Sequence, residues 1–453
     1  MNTICSALTN KYNIAGPRYT SYPAVPHWTR KPSSQEWENH IKKAYQVDAT
    51  ENGISLYIHL PYCESLCTYC GCNTRITVNH HVEQPYIDAL CKEWDMYLSL
   101  LPDNPVISEI HLGGGTPTFF SPKNLERLIE HIKARVIIHS QHEFSFEGHP
   151  NNTSYEHLAT LYNLGFKRVS FGVQDLDPLV QETIHRIQPA DNVTRVMDWA
   201  RALGYTSVNL DLVYGLPKQT VQSITTTFNH VLLWKPDRIA FYSYAHVPWI
   251  KPGMRKFTED DLPNAETKRK LYQTGRDFLD ANGYYEIGMD HFSLASDTLY
   301  IAFKNKSLNR NFMGYTTTNA QLLIGLGVSA ISDTFSAFAQ NQKTVEDYLR
   351  IIHSNEWAHF KGHVLNEDEK NTRWHIRQLM CHFQTQWPAG DQIEKMLITN
   401  KENIREMEND GLLVLSQNKI EVTEMGKGFV RNICMAIDPL LQESNQPLFS
   451  QTV

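Results

Sequence analysis

The sequence lacks an apolar run long enough to span a membrane, and its first residues lack the basic start and apolar stretch of a signal peptide. It also lacks a run of Lys and Arg, and the formal net charge of the 453 residues is −7. Because binding to nucleic-acid phosphates needs a basic surface, these features argue against a nucleic-acid-binding protein. We expect a cytoplasmic protein with no membrane span, whose eight cysteines are reduced.

The sequence has no internal repeat of fixed period and no low-complexity segment. From about residue 53 to residue 290, short β-rich runs alternate with longer helical patterns. The predicted strands are 54–60, 106–112, 143–147, 168–173, 207–213 and 237–243, with a weaker seventh at 285–287. The predicted helices between them are 82–100, 122–136, 154–164, 191–203 and 219–234. This alternation indicates βαβ units and a parallel sheet.

Polar or Gly-rich clusters follow several of these strands, at the edge where a β/α barrel carries its active site. The sequence therefore predicts an α/β fold with a partial, TIM-like (β/α)6 barrel. Three parts are expected: an irregular N-terminal arm (1–35), a catalytic domain (36–364, core about 48–290) and a mostly helical C-terminal domain (365–453). That last domain should include a short strand pair at 412–415 and 419–422.

Three cysteines, Cys63, Cys67 and Cys70, follow the first predicted strand with C-x3-C-x2-C spacing. Their thiolates can bind three irons of a 4Fe–4S cubane and leave the fourth iron open to a cofactor or substrate. A structural zinc site that also uses Cys72 is disfavoured, because no second cysteine knuckle follows. Cys72 itself remains open: it could be a sulfur near the cluster, a late hydrogen-atom donor or a packed small side chain.

The cysteine spacing, with Tyr69 just before the last cysteine and Gly113–Pro117 after the next strand, resembles the radical S-adenosylmethionine (SAM) superfamily. Over nearly the whole chain the sequence is most similar to the oxygen-independent coproporphyrinogen III oxidases of that superfamily. Besides the cysteine loop with its trailing Gly71-Cys72-Asn73, the matching segments are 17–23, 111–117, 172–175, 211–217, 244–246, 288–292, 310–317, 327–332 and 431–434.

This resemblance implies a radical SAM barrel with a 4Fe–4S cluster on the three cysteines and SAM on the open iron. It further implies a second SAM beside the first. One electron from the cluster would cleave SAM to a 5′-deoxyadenosyl radical, which abstracts a hydrogen atom. Two propionates of coproporphyrinogen III would thereby become vinyls, giving protoporphyrinogen IX in haem biosynthesis. The implied SAM-binding residues are Tyr57, Tyr69, Gly114, Gly115, Thr116, Glu147, Gln174, Arg186, Asp211, Ala245 and Ile331.

Several of these residues have an ordinary structural interpretation as well. Glu147 could be the partner of a helix N-terminus, Asp211 could pair with a nearby cation, and Arg186 lies in a helix-like segment where surface arginines are common. The sequence also departs from the family around Glu147: it reads Glu147-Gly148-His149-Pro150 where Glu-Val-Asp-Pro is expected. A local loop contact should therefore differ.

The implied substrate carries four carboxylates, so an acidic protein must offset them with local cations. The candidates from matched segments are Arg18, His246, His291, Lys304 and Arg310. The N-terminal arm could close over the barrel mouth as a lid or wrap passively around the domain. We expect a monomer whose partners are a small tetrapyrrole and an external one-electron reductant.

Three rival functions share part of this pattern. A related haem chaperone would generally lack the arm at 17–23 and the trailing Gly71-Cys72-Asn73. A radical SAM methyltransferase that opens haem is disfavoured by the matches at 288–292 and 310–312. A simple iron–sulfur electron carrier is disfavoured by the three-cysteine ligand set and the length of the chain.

Overall fold

The computed structural model describes residues 6–441, 449 and 452. Its strands are β1 Ile54–Leu60, β2 Tyr62–Cys63, β3 Arg75–Ile76, β4 Val106–Gly114, β5 Ile137–Gly148, β6 Arg168–Gln174, β7 Ser207–Tyr214, β8 Arg238–Ser243, β9 Tyr284–Gly288, β10 His291–Leu294, β11 Asn309–Asn311, β12 Gly314–Thr316, β13 Leu323–Leu326, β14 Ile331–Asp333, β15 Ala337–Asn341, β16 His359–Val364, β17 Gln384–Gln386, β18 Leu413–Ser416 and β19 Lys419–Val422.

The α-helices alternate with these strands through the first two thirds of the chain and dominate the last third. They are α1 Ser6–Tyr12, α2 Ser34–Ala44, α3 Thr50–Asn52, α4 Glu83–Leu98, α5 Pro122–Lys133, α6 Tyr155–Asn163, α7 Pro178–Thr183, α8 Ala190–Leu203, α9 Val221–Trp234, α10 Ala265–Ala281, α11 Thr298–Lys304, α12 Val345–His353, α13 Glu367–His382, α14 Ile393–Thr399, α15 Lys401–Asn409 and α16 Val430–Met435. Within residues 6–441, every helix is too short or too polar to traverse a lipid bilayer.

Six parallel strands form the centre of the fold, in the order β1-β4-β5-β6-β7-β8. A helix connects each strand to the next, so these are successive βαβ units. The antiparallel hairpin β9–β10 extends the sheet beyond β8, and β13 pairs in parallel with β1 and leads into antiparallel β14, β15 and β16. The predicted α/β class and six-stranded partial barrel are thereby confirmed.

The local sequence explains these elements. Six of the seven residues of β1 are buried, as expected for a parallel strand covered on both faces. Ser121 caps the N-terminus of α5 by accepting a hydrogen bond from the amide of Asn124. The buried residues of α5 recur with the spacing of one helix face: Leu125, Leu128, Ile129 and Ile132. That face packs against the sheet and places the loop before α5 at the carboxyl edge of β4.

The predicted strands match the observed ones within one or two residues, except that β5 begins at Ile137, six residues earlier than predicted. The weaker seventh strand is confirmed as β9, but it runs antiparallel. Met289 and Asp290 form a tight turn with φ of 34° and 71°, so the chain returns directly as β10. The prediction that Arg186 is helical was wrong: α7 ends at Thr183, and His185 takes a left-handed φ of 55°.

The N-terminal arm is more regular than predicted, because it contains α1 and a single 3-10 turn at Val25–His27. Tyr12, Tyr19 and Tyr22 are buried with the apolar side chains of the C-terminal helices. The guanidinium of Arg431 donates to the carbonyls of Gly16 and Pro17. The arm is therefore fastened to the C-terminal part of the chain.

The C-terminal part consists of α13 to α16 and a three-stranded sheet in the order β17-β19-β18. The strand pair β18–β19 is confirmed, whereas β17 was not predicted, because three residues give too short a pattern. The large central sheet continues to β16, and α13 begins two residues after it ends. The domain boundaries at 35/36 and 364/365 remain predictions.

A buried carboxylate links α4 to the strand that flanks β1. Glu93 accepts hydrogen bonds from the amide of Gly327, the hydroxyl of Tyr348 and the side-chain amide of Asn341 at 2.7–2.8 Å. Burial raises the pKa of Glu93 to about 7, although these three donors act to lower it. The turn after β13 is thus held by a carboxylate that is costly to ionise.

We predict that Glu93→Gln flattens the pH dependence of stability. Because the pKa of Glu93 rises from 4.5 to about 7 on folding, its contribution to stability is complete below pH 4.5 and is lost as the pH rises through 7. The variant should therefore gain about 3 kcal/mol in unfolding free energy relative to the parent between pH 4.5 and 7.5. Urea unfolding followed by circular dichroism measures this difference. The exposed Glu126→Gln change on α5 is the control, and equal pH slopes for Glu93→Gln and the parent would contradict the prediction.

Candidate functional site

The carboxyl ends of the parallel strands surround a cavity of about 420 Å³. Its walls are formed by the cysteine loop after β1, the Gly-rich segment after β4 and polar side chains from β5 to β8. Many of the residues proposed from the sequence lie on these walls: Cys63, Cys67, Tyr69, Cys70, Cys72, Gly114, Gly115, Thr116, Glu147, Gln174, Arg186, Asp211 and His291. Residues distant in sequence are thus brought to one place by the strand order.

The cysteine loop is fixed at its base and at its tip. At the base, β2 pairs with β3, and the amide of Arg75 donates to the carbonyl of Pro61 at 2.8 Å. At the tip, the amide of Thr68 donates to the carbonyl of Ile184 at 2.9 Å, and the His185 ring hydrogen-bonds the carbonyl of Leu66. The segment after α7 therefore supports the loop and sets the direction of its thiols.

Each of the three motif thiols has its own polar partner. Cys63 Sγ lies 3.3 Å from the hydroxyl of Thr116, and Cys67 Sγ accepts from Arg186 Nη1 at 3.6 Å. Cys70 Sγ accepts from the amide of Cys72 at 3.4 Å. The side-chain hydrogen bond from Cys72 is the main reason that the pKa of Cys70 falls to about 6, whereas burial raises the pKa of Cys63 to about 11. Cys72 acts here as a donor to the sulfur of Cys70.

The arrangement of donors fits a multi-iron cluster better than a single metal ion. In the part of the chain that the structure describes, no three His, Cys, Asp or Glu side chains form a set for one ion. The three thiols instead lie along one loop and face one cavity. A cubane presents a separate iron to each thiolate, so its ligands need not converge on one point.

The Gly-rich segment after β4 packs directly on the base of the cysteine loop. The amides of Gly115 and Thr116 donate to the carbonyls of Leu60 and Tyr62 at 2.8 and 3.0 Å. A Cβ on Gly115 would lie 2.5 Å from the backbone of Pro61, so only glycine fits this approach. The amide of Gly114 donates to Glu147 at 3.2 Å. Because an ammonium group donates hydrogen bonds, only the carbonyl oxygens of this segment and the carboxylate of Glu147 could accept from one.

Glu147, at the end of β5, is a half-buried anion whose carboxylate is open to the cavity. Burial acts to raise its pKa, but the hydrogen bond and charge of His111 and the amide of Gly114 lower it below the ordinary value. His111 Nε2 lies 3.4 Å from Glu147, and the ring of Tyr57 stacks on that of His111. Tyr57 also hydrogen-bonds His59 at 3.0 Å, so it lies behind the cavity wall.

His59 and His111 were given no role by the sequence analysis. The ring of His59 hydrogen-bonds the carbonyl of Asn73 at 2.8 Å, which fixes the end of the cysteine loop. His111 orients Glu147. The sequence did contain a signal for His59, because it is a polar residue in an otherwise apolar strand. Tyr57 and His59 are two positions apart in β1 and therefore lie on the same face of the sheet.

A second carboxylate, Asp211 on β7, faces the same cavity. It accepts hydrogen bonds from Ser170 and Asn209, each at 2.8 Å. Burial, together with the charge of Glu147, raises the pKa of Asp211 to about 6. The guanidinium of Arg186 is also buried in this wall and donates to the carbonyl of Gly172 at 2.6 Å. The carboxylates of Glu147 and Asp211 and the guanidinium of Arg186 therefore line the same cavity as the thiols.

His149 lies where the sequence departs from the expected family pattern, and whether its contact differs from that of relatives remains a prediction. His149 lines the cavity, and its ring Nδ1 accepts the amide of Asn151 at 3.1 Å. Burial, with the charge of Arg186, lowers the pKa of His149 far below the ordinary value. The residue is therefore neutral near pH 7.

Charged residues from separate parts of the chain lie together at the barrel mouth. We call this group the mouth cluster; it consists of the cations Arg18, Lys268 and Arg310 and the acid Asp290. Arg18 contacts Asp290 at 3.8 Å and the carbonyl of Ser243 at 3.4 Å. Arg310 donates to the carbonyl of Arg18 at 3.5 Å, and its guanidinium lies 4.6 Å from the ring centre of Tyr315. Its Nε and Nη1 are buried without a hydrogen-bond partner among the described residues. Burial and the charge of Arg18 lower the pKa of Lys268 to about 8. Lys268 and Asp290 were not predicted from the sequence.

The expectation that His291 is a cation was wrong. Its Nδ1 donates to the carbonyl of Met289 at 2.8 Å, and Tyr242 lies 3.4 Å from its Nε2. Burial, with the charge of Arg310, lowers the pKa of His291 to about 4. His291 is therefore a neutral ring in the cavity wall, and its charge cannot offset a carboxylate near neutral pH.

The remaining candidates lie away from the described cavity wall. His246 hydrogen-bonds the hydroxyl of Tyr244 at 3.0 Å, and burial lowers its pKa. Lys304 is exposed at the end of α11. Ile331 packs near Trp28, and Ala245 follows β8 without reaching the wall. Roles for these residues remain predictions.

The chain matches proteins of one family over its full length. The model of the radical SAM superfamily matches residues 57–231. Oxygen-independent coproporphyrinogen III oxidases from Pseudomonas aeruginosa and Helicobacter pylori are 34% and 36% identical; the first match covers 98% of both chains, the second 100% of both.

Among solved structures, coproporphyrinogen III oxidase from Escherichia coli, described as a radical SAM enzyme, is 34% identical over 97% of this chain and 99% of its own. The TM-score is 0.88. Because identity above 30% extends over the whole length of the relatives, the chain belongs to the oxygen-independent coproporphyrinogen III oxidases of the radical SAM superfamily.

Proposed function

We propose that the protein is an oxygen-independent coproporphyrinogen III oxidase, which converts two propionates of coproporphyrinogen III to vinyls. The observation that carries this proposal is the placement of three motif thiols in the same cavity as Glu147, Asp211 and Arg186. When bound, the 4Fe–4S cluster and SAM supply a 5′-deoxyadenosyl radical that removes a hydrogen atom from an unactivated carbon. The protein itself supplies ligands, orientation and exclusion of water.

Cys63, Cys67 and Cys70 hold the cluster. Arg186 donates to Cys67, and Cys72 donates to Cys70, so two of the three sulfurs have charge-stabilising donors. Such donors favour the thiolate form, which is the form that ligates iron. We assign Cys72 as a donor to the cluster environment, since it follows Cys70 by two positions and already bonds that sulfur.

Glu147 is the side chain best suited to the ammonium group of SAM. It is anionic, open to the cavity and adjacent to Gly114, and His111 fixes its orientation. Asp211, held by Ser170 and Asn209, is available to a ribose hydroxyl or a second positive group. Tyr69 and Gln174 complete the wall around these carboxylates. A second SAM and contacts to Ala245 and Ile331 remain proposals, because neither residue lines the described cavity.

The mouth cluster is suited to the carboxylates of the substrate. A tetra-anionic tetrapyrrole needs cations close to its carboxylates. Because the chain as a whole is acidic, these cations must be gathered locally at the barrel mouth. Arg310 has two buried N–H groups without a partner among the described residues, and a buried unpaired donor is costly unless a ligand accepts from it. Arg18 brings the N-terminal arm to the same place. This favours the arm as part of the substrate site over a passive wrap.

The wider setting follows from the same proposal. The enzyme would work in the cytoplasm, where reduced thiols persist. It would act as a monomer and receive electrons from an external one-electron donor. The external donor is required by the proposed radical reaction, whereas the cytoplasmic location and the monomer remain predictions from the sequence.

The proposed function is tested by anaerobic reconstitution with iron and sulfide, followed by SAM, dithionite and coproporphyrinogen III. The expected products are 5′-deoxyadenosine and protoporphyrinogen IX, separated by chromatography. A cluster-loaded protein that forms no 5′-deoxyadenosine would refute the radical reaction. Formation of 5′-deoxyadenosine with no decarboxylation, together with tight binding of intact haem, would favour the haem chaperone.

We predict different outcomes for the four neighbouring cysteines. Replacing Cys63, Cys67 or Cys70 by Ala should abolish retention of the cluster, because each removes a ligand. Cys72→Ala should retain about four irons per chain but lower the reduction potential, because the side-chain donor to the Cys70 sulfur is lost while the backbone amide donor remains. Cys72→Ser keeps a donor and serves as the matched control. Iron analysis and potentiometric spectroscopy measure both effects; loss of iron from Cys72→Ala would show that Cys72 is a ligand.

We predict that Glu147→Gln weakens SAM binding about tenfold or more, because a charge-assisted hydrogen bond to the ammonium is lost. Isothermal titration of the cluster-loaded variant with SAM measures the affinity. The exposed Glu130→Gln change on α5 is the control and should leave the affinity unchanged. Unaltered binding by Glu147→Gln, with the cluster intact, would remove Glu147 from the site.

We predict that Arg18→Ala and Arg310→Ala each weaken substrate binding about tenfold, because each removes a cation from the mouth cluster. Titration with coproporphyrin III as a stable analogue measures binding, and SAM affinity reports whether the fold is intact. Lys123→Ala is the control, since Lys123 is exposed on α5, belongs to no candidate site and should have no effect. Unchanged affinity in both arginine variants would place the substrate carboxylates elsewhere.

A further inference from the structure

His149, in the turn after β5, lines the cavity but has no part in the cluster and SAM contacts proposed above. Its amide donates to the hydroxyl of Thr118 at 3.4 Å. Its carbonyl accepts hydrogen bonds from the amide and the hydroxyl of Thr153, both at 2.9 Å. Both backbone groups of His149 are therefore held by the protein, and the ring is carried on a fixed turn.

The hydrogen bonding of the His149 ring determines which nitrogen carries the proton. Nδ1 accepts from the amide of Asn151 at 3.1 Å, so Nδ1 has no proton. Because an imidazolium has a proton on both nitrogens, this contact makes the ring neutral and leaves its single proton on Nε2. Among the described residues Nε2 has no hydrogen-bond partner. The half-buried ring thus offers one N–H donor to a molecule in the cavity.

Asn151 joins this turn to the segment that carries Arg186. The side-chain amide of Asn151 donates to the carbonyl of Ile187, the residue after Arg186, at 2.9 Å. Arg186 lines the same cavity, and it is close enough for its charge to lower the pKa of His149. A positive charge therefore lies beside the neutral donor of His149.

A cation beside an N–H donor suits a carboxylate, because hydrogen bonds to charged acceptors are stronger than those between neutral groups. The ammonium of SAM is assigned above to Glu147, two residues before His149, and SAM carries its carboxylate on the carbon that bears this ammonium. Glu147 and Asp211 repel such a carboxylate, so it needs donors of its own in the cavity. A carboxylate has two oxygens, so one can accept from a side chain even where the other binds iron.

From these observations, and resting on the proposed function, we infer that Nε2 of His149 is a neutral hydrogen-bond donor to a carboxylate of the molecule bound in the cavity. The carboxylate of SAM is the expected acceptor, and a propionate of the substrate is the other source of the same group. No covalent bond forms or breaks in this contact. The ring contributes to the affinity and the orientation of the ligand.

Asparagine and glutamine separate the roles of the two ring nitrogens. The amide of Asn reaches the position of Nδ1, so His149→Asn keeps an acceptor for the backbone of Asn151 and loses the outer donor. The amide of Gln reaches the position of Nε2, so His149→Gln keeps the outer donor. Calorimetric titration of SAM into the anaerobic, oxidised, cluster-loaded protein should show about tenfold weaker binding for His149→Asn and less than about threefold for His149→Gln. His149→Asp, which has the shape of Asn and adds a negative charge, should bind SAM more weakly still.

His139→Asn is the matched control. Nδ1 of His139 accepts the amide of Gln141 at 3.1 Å, which is the same local contact near the start of β5, away from the cavity wall. This variant should bind SAM as the parent does. Equal losses in His149→Asn and His149→Gln, or a loss in His149→Gln alone, would show that the ring only supports the turn and would overturn the inference. Equal affinity of the Asp and Asn variants would show that the acceptor is not an anion, and would overturn it too.

Two further ligands identify the carboxylate. Decarboxylated SAM lacks the methionyl carboxylate, so the parent and His149→Asn should bind it equally well; a difference that persisted at about tenfold would contradict the inference. If SAM binding does not depend on His149, coproporphyrin III decides. Weaker binding of coproporphyrin III by His149→Asn but not by His149→Gln would assign the donor to a substrate propionate, and unchanged binding of both ligands would reject the inference. A cluster-loaded parent protein that forms no 5′-deoxyadenosine would instead reject the proposed function, so the two failures are distinguishable.

Discussion

The site depends on placing several acidic groups around one cavity. Three thiols and the carboxylates of Glu147 and Asp211 face the same cavity, where mutual repulsion and the loss of water both disfavour charge. The effect is visible in Asp211, whose pKa rises to about 6 through burial and the charge of Glu147. The buried guanidinium of Arg186, which donates to Cys67 and to the carbonyl of Gly172, offsets part of this charge.

The parallel sheet makes this concentration of charge possible. Each strand ends at the same edge, so residues from β4, β5, β6 and β7 meet without long connections. The backbone around the cysteines is held by protein contacts on both sides, through β3 at the base and the segment after α7 at the tip. Such support keeps thiols and carboxylates in fixed positions, which pre-organises the site for a charged cofactor.

The mouth of the barrel instead gathers positive charge. There, cations that are far from one another in sequence lie together around Asp290. They come from the N-terminal arm, α10 and β11. Arg431 holds the arm by its carbonyls, and Arg310 reaches the backbone of Arg18. The arm is thus part of the C-terminal core and also part of the mouth. Because the C-terminal part holds the arm in place, Arg18 reaches the mouth cluster only when that part is folded.

The sequence predicted the parts that depend on local pattern. The apolar runs located the six parallel strands, and the cysteine spacing located the cluster loop. Prediction from the sequence failed where three-dimensional packing sets the property of a residue. The pKa of His291 is lowered because its ring is buried beside Arg310. Arg186 lies outside a helix because His185, just before it, takes a left-handed conformation. Lys268 and Asp290 join the mouth only through the tertiary fold, so no local pattern could identify them.

The central claim is that three thiolates leave one iron open and that Glu147 directs the ammonium of SAM toward it. Electron–nuclear double resonance on the reduced cluster, with SAM labelled with ¹⁵N at the methionyl amine, tests this most directly. The account predicts a strong nitrogen coupling in the parent protein and a weakened one in Glu147→Gln. Absence of coupling in a parent protein with a full cluster and saturating SAM would contradict it.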